Sequence, residues 1–161
     1  MPLDPNAPDL TVAVIGTGTM GRGIVQVSAQ GGMRVLAFDE KPGAAQAAKD
    51  YIAKTLGGLV EKGRLSEADA KAAVERIIVA GSLAGLARAD VVVEAIIEKL
   101  EPKQELFAKL EGVVGPEAIL ASNTSSIPIT AIASRCKHPE RVGGMHFFNP
   151  VPLMRLVEII P

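Results

Sequence analysis

The chain has 161 residues, 48% of them hydrophobic, a length that suits one globular domain around one sizeable core. Seventeen basic and eighteen acidic residues leave a net charge of -1, so composition gives no reason to expect binding to nucleic acid or to an anionic membrane. The single cysteine, Cys136, excludes an intrachain disulfide and a cysteine metal cluster, and with only two histidines no metal site is predicted.

The N-terminal residues 1–9 are rich in Pro, Asp and Asn and are predicted to form a flexible lead-in to a domain over residues 10–161. They lack the basic and apolar regions of a signal peptide, and no apolar run in the chain reaches membrane-spanning length. We therefore expect a soluble, cytoplasmic protein.

Strands and helices alternate in the predicted element order. The apolar run at 10–15 predicts a buried strand, 19 to about 30 a helix ended by two glycines, and 33–38 a second strand. Four further helices are predicted: one over 42–62, one that begins after the N-cap Ser66, one from Pro102 to about Leu110, and one over 127–134. Five further strands are predicted over 77–80, 90–96, 118–121, 142–148 and 156–160. This alternation predicts an α/β protein with a mostly parallel sheet covered on both faces.

A Gly-x-Gly-x-x-Gly motif, Gly16 to Gly21, follows the first strand and opens the first helix. In this context Gly16 permits a tight turn, Gly18 lets the backbone approach a pyrophosphate, and Gly21 lets helix and strand pack closely. The motif predicts a Rossmann-type, doubly wound fold, with Thr19 and Met20 among the cofactor-binding residues. Asp39, at the end of the second strand, suits ribose hydroxyls and would repel a 2′-phosphate, which favours NAD over NADP. The alternative is a glycine-rich turn beside a solvated aspartate.

Two further features suggest chemistry beside that cofactor. His146 ends one predicted strand and Glu158 lies on the next, and if the turn at 149–152 folds that strand back antiparallel, the even spacing allows both side chains to share a face. A plain buried histidine and a solvated glutamate explain the same residues equally well. The polar run 122–126 suits a ribose or a substrate carbonyl, but Ser125 or Ser126 as a helix cap is the preferred interpretation from the residues alone. Cys136 is predicted to be a small core or surface residue and His138 a surface residue.

Four segments, VIGTGTMG, VVVEAIIEKLEPKQELF, ASNTSS and MHFFNPVPLMRLVEII, together resemble the N-terminal NAD-binding domain of 3-hydroxyacyl-CoA dehydrogenases over about residues 10–160. The resemblance implies NAD as cofactor and oxidation of the 3-hydroxyl of an (S)-3-hydroxyacyl-CoA to the 3-oxoacyl-CoA, in fatty-acid or related metabolism. The fold expected is a Rossmann-type sheet with helices on both faces and an antiparallel final strand.

The same resemblance assigns roles to individual residues. His146 is the catalytic base, Glu158 its orienting partner and Ser125 a contact of the substrate hydroxyl and the cofactor. The cofactor-binding residues that it implies are Gly16, Gly18, Gly21, Asp39, Glu98, Lys103, Asn123 and Asn149, and the CoA-binding residues are Thr55 and Lys62.

Members of that family continue into an all-helical domain that forms the dimer interface and covers the acyl-CoA site. We therefore expect an isolated cofactor domain that binds NAD with weak or absent turnover, from a homodimeric parent. Two alternatives remain: the cofactor domain of another β-hydroxyacid dehydrogenase, which often uses a lysine base, or a non-catalytic NAD-binding or structural module of the λ-crystallin type.

Overall fold

The computed structural model describes residues 3–161, and these contain one seven-stranded sheet. Its strands are β1 (Thr11–Ile15), β2 (Arg34–Phe38), β3 (Ile77–Val79), β4 (Val91–Glu94), β5 (Ile119–Ser122), β6 (Val142–Phe147) and β7 (Val157–Ile160). They lie in the order β3-β2-β1-β4-β5-β6-β7, and every neighbouring pair is parallel except β6 and β7. The predicted Rossmann-type sheet with an antiparallel last strand is confirmed.

Five α-helices cover the two faces of this sheet within the described residues. They are α1 (Thr19–Gln30), α2 (Ala44–Glu61), α3 (Glu67–Arg76), α4 (Leu100–Leu110) and α5 (Ile129–Ala133), joined by short 3-10 helices at Leu83–Leu86 and Pro139–Arg141. Helices α1, α2 and α3 share one hydrophobic cluster with the sheet, whereas α4 and α5 share the other. No helix in this part of the chain is both long enough and apolar enough to cross a lipid bilayer.

The central strand β1 shows why the two clusters form. All five of its residues are buried, and successive side chains point to opposite faces. Val12 and Val14 belong to the cluster under α1 to α3, whereas Ala13 and Ile15 belong to the cluster under α4 and α5. Full burial of each larger aliphatic side chain stabilises the fold by about 1.5–3 kcal/mol. A continuous apolar run is therefore required here, because both faces of the strand are covered.

Several predicted boundaries were wrong. The helix predicted from residue 42 begins at Ala44, because Gly43 before it has a positive φ of 80° that lies outside the helical region. The strand predicted over 90–96 ends at Glu94, since the N–H of Ile96 donates to the Glu94 side chain instead of a neighbouring strand. Ser66 is confirmed as an N-cap, because its hydroxyl accepts from the N–H of Asp69 at 3.1 Å.

The two ends of the described residues differ in structure. Residues 3–9 of the predicted lead-in form turns rather than a helix or strand, while its first two residues lie outside the described ones. At the other end, all four residues of β7, an edge strand of the sheet, are exposed.

The parallel strands bring the predicted site residues to one edge of the sheet. The segments that follow the carboxyl ends of β1, β2, β4 and β5 begin at Gly16, Asp39, Ala95 and Asn123. In open sheets of this kind, ligands bind beyond those carboxyl ends. The fold therefore assembles the motifs, which are dispersed in sequence, into one region.

Candidate active site

The glycine turn has the close contacts that its motif predicts. Gly16 has a φ of +87°, and a Cβ added there would lie 2.6 Å from the carbonyl oxygen of Ala95. A Cβ on Gly21 would lie 1.6 Å from the carbonyl oxygen of Gly16. Gly18 differs, because a Cβ there would point into open space. The turn is thus closed against the sheet on one side and open to a ligand on the other.

Helix α1 presents its N-terminus to that open space. Gly18 is the N-cap and provides no side-chain cap, and no acidic residue occupies the first turn. The backbone N–H groups of this turn and the helix dipole therefore favour a bound anion. Thr19 and Met20 begin the helix at this point.

Asp39 lies at the rim of a cavity of about 810 Å³ that Gly16 and Gly18 also line. Its carboxylate accepts from the N–H and hydroxyl of Thr17 at 2.8 and 2.9 Å and from the N–H of Lys41 at 2.9 Å. Burial by itself raises the pKa of Asp39, but these hydrogen bonds and the Lys41 charge together hold that pKa below its usual value. The sequence motif does not identify Thr17 as a partner of Asp39, because Thr17 occupies an x position of Gly-x-Gly-x-x-Gly, where any residue is accepted.

His146 and Glu158 are direct partners in the antiparallel pairing of β6 and β7. Nδ1 of His146 lies 3.0 Å from a carboxylate oxygen of Glu158. The His146 side chain is 20% exposed and that of Glu158 is 54% exposed, so the histidine is the better shielded of the two. The predicted sharing of one face is confirmed, while Glu158 is solvated, as the alternative interpretation also expected.

A second cavity, of about 360 Å³, opens beside this pair. It gathers residues from four separate segments of the chain. All seven of the following predicted site residues line it: Met20, Glu98, Lys103, Asn123, Ser125, His146 and Asn149. Ala95 and Ile96 line both this cavity and the larger one, so the two are adjacent. Together they suit an extended ligand whose two halves have different surroundings.

The loop after β5 connects to the histidine strand. The side-chain oxygen of Asn123 accepts from the N–H of Phe147 at 2.9 Å, next to His146. The preferred prediction that Ser125 or Ser126 caps a helix is wrong, because α5 begins only at Ile129. Instead, the hydroxyl of Thr124 accepts from the N–H of Ile127 at 3.0 Å. Thr124 holds the loop and leaves Ser125 exposed at the cavity.

A buried polar cluster lies behind this loop. Nζ of Lys103 is 2.5 Å from Glu94 and 3.5 Å from Glu98, and the hydroxyl of Thr124 donates to Glu98. Sequence reasoning placed Lys103 and Glu98 at the site but missed Glu94, which is fully buried at the end of β4. A glutamate inside a run of valines was the available signal, since a buried carboxylate requires partners.

Phe148, to which the sequence motifs assign no role, contacts His146. Its ring centroid lies 4.6 Å from that of His146, with the two planes tilted by 52°. The two residues are separated by two positions, the spacing that puts side chains on one side of an extended chain. Phe148 therefore restricts how far the imidazole can turn.

Thr55 and Lys62 lie apart from the histidine. Both line a cavity of about 480 Å³ along α2, together with Tyr51 and Lys54. Thr55 also lines a further cavity of about 410 Å³ that reaches Thr19 and Asn149. A surface therefore leads from α2 toward the site.

The remaining two reactive residues are outside the site. Cys136 is partly buried beside α5, where burial, and then the nearby charge of Glu111, raises the pKa of its thiol. His138 is exposed and pairs with Glu140 at 3.1 Å. Both predicted surroundings are confirmed.

The sequence model of the family described as "3-hydroxyacyl-CoA dehydrogenase, NAD binding domain" matches residues 11–161. The chain is 48% identical to 3-hydroxyadipyl-CoA dehydrogenase of Escherichia coli K12 over 93% of its length, and 45% identical to a probable 3-hydroxybutyryl-CoA dehydrogenase of Bacillus subtilis over 92%. A crystal structure of 3-hydroxybutyryl-CoA dehydrogenase from Escherichia coli K12 superposes with a TM-score of 0.91 at 48% identity, over 94% of this chain and 32% of that one.

These relatives are longer than the chain. It spans 32% of the Escherichia coli relative and 52% of the Bacillus subtilis relative. The shared part is the dinucleotide-binding domain, and its cofactor is NAD.

Proposed function

Because the chain belongs to the 3-hydroxyacyl-CoA dehydrogenase family through its NAD-binding domain, we propose that its site oxidises the 3-hydroxyl of an (S)-3-hydroxyacyl-CoA to the 3-oxoacyl-CoA. The observation that carries this proposal is the His146–Glu158 pair, which opens into the cavity lined by Ser125 and Asn123. A proton acceptor at that position is what alcohol oxidation by a hydride carrier requires.

The residues present fit NAD. The open space at Gly18 and the uncapped start of α1 suit a pyrophosphate. The Asp39 carboxylate, held ionised by Thr17 and Lys41, suits the hydroxyls of the adenosine ribose. Apolar side chains, among them Leu83 and Leu106, line the same cavity and suit an adenine ring. We propose that Glu98, Lys103, Asn123, Ser125 and Asn149 surround the nicotinamide half.

His146 is proposed as the base. A carboxylate can only accept hydrogen bonds, so the 3.0 Å contact with Glu158 assigns the proton of the neutral imidazole to Nδ1. Nε2 then has a free lone pair, which accepts the proton of the 3-hydroxyl, while bound NAD supplies the hydride acceptor. Glu158 stabilises the imidazolium that forms, and the Ser125 hydroxyl holds the substrate oxygen. In the reverse direction, His146 returns the proton to the carbonyl oxygen.

Thr55 and Lys62 are proposed to bind the CoA portion. The Lys62 ammonium supplies a positive charge for a CoA phosphate. The Thr55 hydroxyl donates to the Tyr51 carbonyl at 2.9 Å and offers its oxygen as an acceptor in the same cavity. The cavity that joins Thr55 to Asn149 supports this orientation, because it leads from α2 toward the site. The homodimer that the resemblance implies and the cytoplasmic location expected from the sequence stay predictions.

Asp39→Ala is expected to lower the affinity for NAD by about tenfold to a hundredfold, because hydrogen bonds to a charged group contribute about 1.5–3 kcal/mol. Affinity for NADP should fall less or rise, since the repulsion of a 2′-phosphate is removed. Calorimetric titration of both dinucleotides into the 161-residue chain measures this. Asp50→Ala, which removes an exposed carboxylate on α2, is the matched control. Unchanged NAD affinity in Asp39→Ala would remove Asp39 from the ribose.

The proposed reaction is tested with acetoacetyl-CoA and NADH. With the chain in excess over NADH, we expect a slow loss of NADH absorbance that requires acetoacetyl-CoA and does not occur with free acetoacetate. Rapid multiple turnover would support the reaction but contradict the expectation of weak activity. Intact NAD binding without any conversion would fit both an isolated cofactor domain with absent turnover and a non-catalytic module of the λ-crystallin type.

A further inference from the structure

We propose that Glu94, a residue with no assigned role, is a positioning residue that sets the charge at the reactive end of the site and thereby its preference for NAD⁺ over NADH. The proposal rests on the proposed function, in which the nicotinamide lies in the cavity beside His146.

Glu94 connects three elements through one buried carboxylate. One of its oxygens accepts from the hydroxyl of Ser122 at 2.6 Å, and the other accepts from the N–H of Ile96 at 2.8 Å and from Nζ of Lys103 at 2.5 Å. Relative exposure is 0% for Glu94 and Ser122 and 1% for Lys103. The ends of β4 and β5 and the first turn of α4 are therefore fixed to one another, because a buried charge keeps its partners.

The ion pair determines where an unbalanced charge lies. The Lys103 ammonium lies 2.5 Å from Glu94 but 3.5 Å from Glu98, so it pairs mainly with Glu94. One ammonium and two carboxylates leave one negative charge. That charge falls on Glu98, whose side chain is 43% exposed and lines the cavity with His146. Glu94 thus keeps Lys103 from neutralising Glu98.

This charge distinguishes the two redox forms of the cofactor. The nicotinamide ring is cationic in NAD⁺ and neutral in NADH, so only the oxidised form gains from a nearby negative charge. At a separation of several ångströms in a partly solvated site, the gain corresponds to about threefold to tenfold in affinity. Glu158, which is 54% exposed, also contributes negative charge next to His146. Its contribution is common to the wild type and all variants, so it does not change the comparison.

The measured quantity is the ratio of the dissociation constants, Kd for NAD⁺ divided by Kd for NADH, from calorimetry and NADH fluorescence. Glu98→Gln removes the unbalanced charge and is expected to raise the ratio by about threefold to tenfold. Glu94→Gln should raise it similarly, because Lys103 then pairs with Glu98. The double variant Glu94→Gln/Lys103→Met leaves Glu98 unpaired again, and its ratio is expected to return close to the wild-type value.

If Glu94 had a purely structural role, the double variant would not restore the wild-type ratio. Glu117→Gln, an exposed change before β5 at the opposite end of the sheet, is the matched control and should leave the ratio unchanged. Because Glu98 is half-exposed, its variant keeps the test valid if Glu94→Gln does not fold. If Glu98→Gln binds both dinucleotides with an unchanged ratio, this proposal is wrong but the proposed function stands. An equal fall in both affinities in that variant has the same meaning, because it leaves the ratio unchanged. Failure of the wild type to bind either dinucleotide overturns the proposed function as well.

Discussion

His146→Gln is expected to abolish the slow reduction of acetoacetyl-CoA by NADH, because a positioned acid or base usually contributes about 10²–10⁴-fold to the rate. Glutamine preserves much of the local structure, because its amide N–H can still donate to the Glu158 carboxylate that now accepts from Nδ1. It does not exchange a proton near neutral pH, whereas imidazole does. The expected loss therefore reports proton transfer rather than a collapsed site.

The affinity for NAD should remain near the wild-type value in this variant, because the proposed anchors of the cofactor, Asp39 and the start of α1, are untouched. Single-turnover NADH absorbance and NAD calorimetry on the same preparation separate the two effects. His138→Gln makes the same replacement at an exposed position and is the control. Wild-type rates in His146→Gln would end the assignment of the base, whereas a large loss of NAD affinity would assign His146 to cofactor binding.

Glu158→Gln provides a graded comparison. It keeps an acceptor for Nδ1 but removes the negative charge that stabilises the imidazolium, so we expect a smaller loss than in His146→Gln.

Gly21→Ala is expected to destabilise the fold by about 3 kcal/mol or more and to abolish NAD binding. The added Cβ would lie 1.6 Å from the carbonyl oxygen of Gly16, which is a backbone atom and not the flexible end of a side chain. Gly16 cannot yield easily, since a Cβ on it would itself be 2.6 Å from the Ala95 carbonyl oxygen, so it is already pressed against the loop after β4. Relief therefore requires α1 to move away from β1, which opens the packing beneath Ile24 and Val25.

Urea unfolding followed by circular dichroism measures this change. Gly57→Ala in α2 is the matched control, because a Cβ there meets nothing within 4 Å. Replacing that exposed helical glycine should stabilise the chain by up to about 1 kcal/mol. If Gly21→Ala unfolds at the wild-type urea concentration, close helix–strand packing at the turn is not required for the fold.

Much of the fold was predictable because its signals are local. The apolar run of β1, the glycine turn and the start of α1 are adjacent in the chain, and their periods and spacing distinguish strand from helix without distant information. The even spacing of His146 and Glu158 likewise predicted a shared face. The residue roles proposed for these positions stay predictions until the variants are measured.

Boundaries were less predictable where a side chain competes with the backbone. The helix expected from residue 127 begins only at Ile129, because Pro128 disfavours a helical Ile127 and itself has a ψ of 130°. β4 ends at Glu94 because that carboxylate takes the N–H of Ile96. Secondary-structure propensity does not predict such competition, because a residue type has the same propensity whether or not its side chain hydrogen-bonds to the backbone.

The sequence by itself determined the α/β class and the turn that suits a pyrophosphate, and its even spacing allowed His146 and Glu158 to share a face, since each depends on neighbours or on a simple strand period. Only the tertiary structure decided that Glu94 is buried, that Lys103 is committed to it, and that Glu98 keeps an unbalanced charge at the cavity. Those contacts join β4, β5 and α4, and the side-chain partners of Glu94 lie 9 and 28 residues away. Burial and charge pairing are properties of packed elements, and no local pattern specifies which carboxylate a distant lysine will reach.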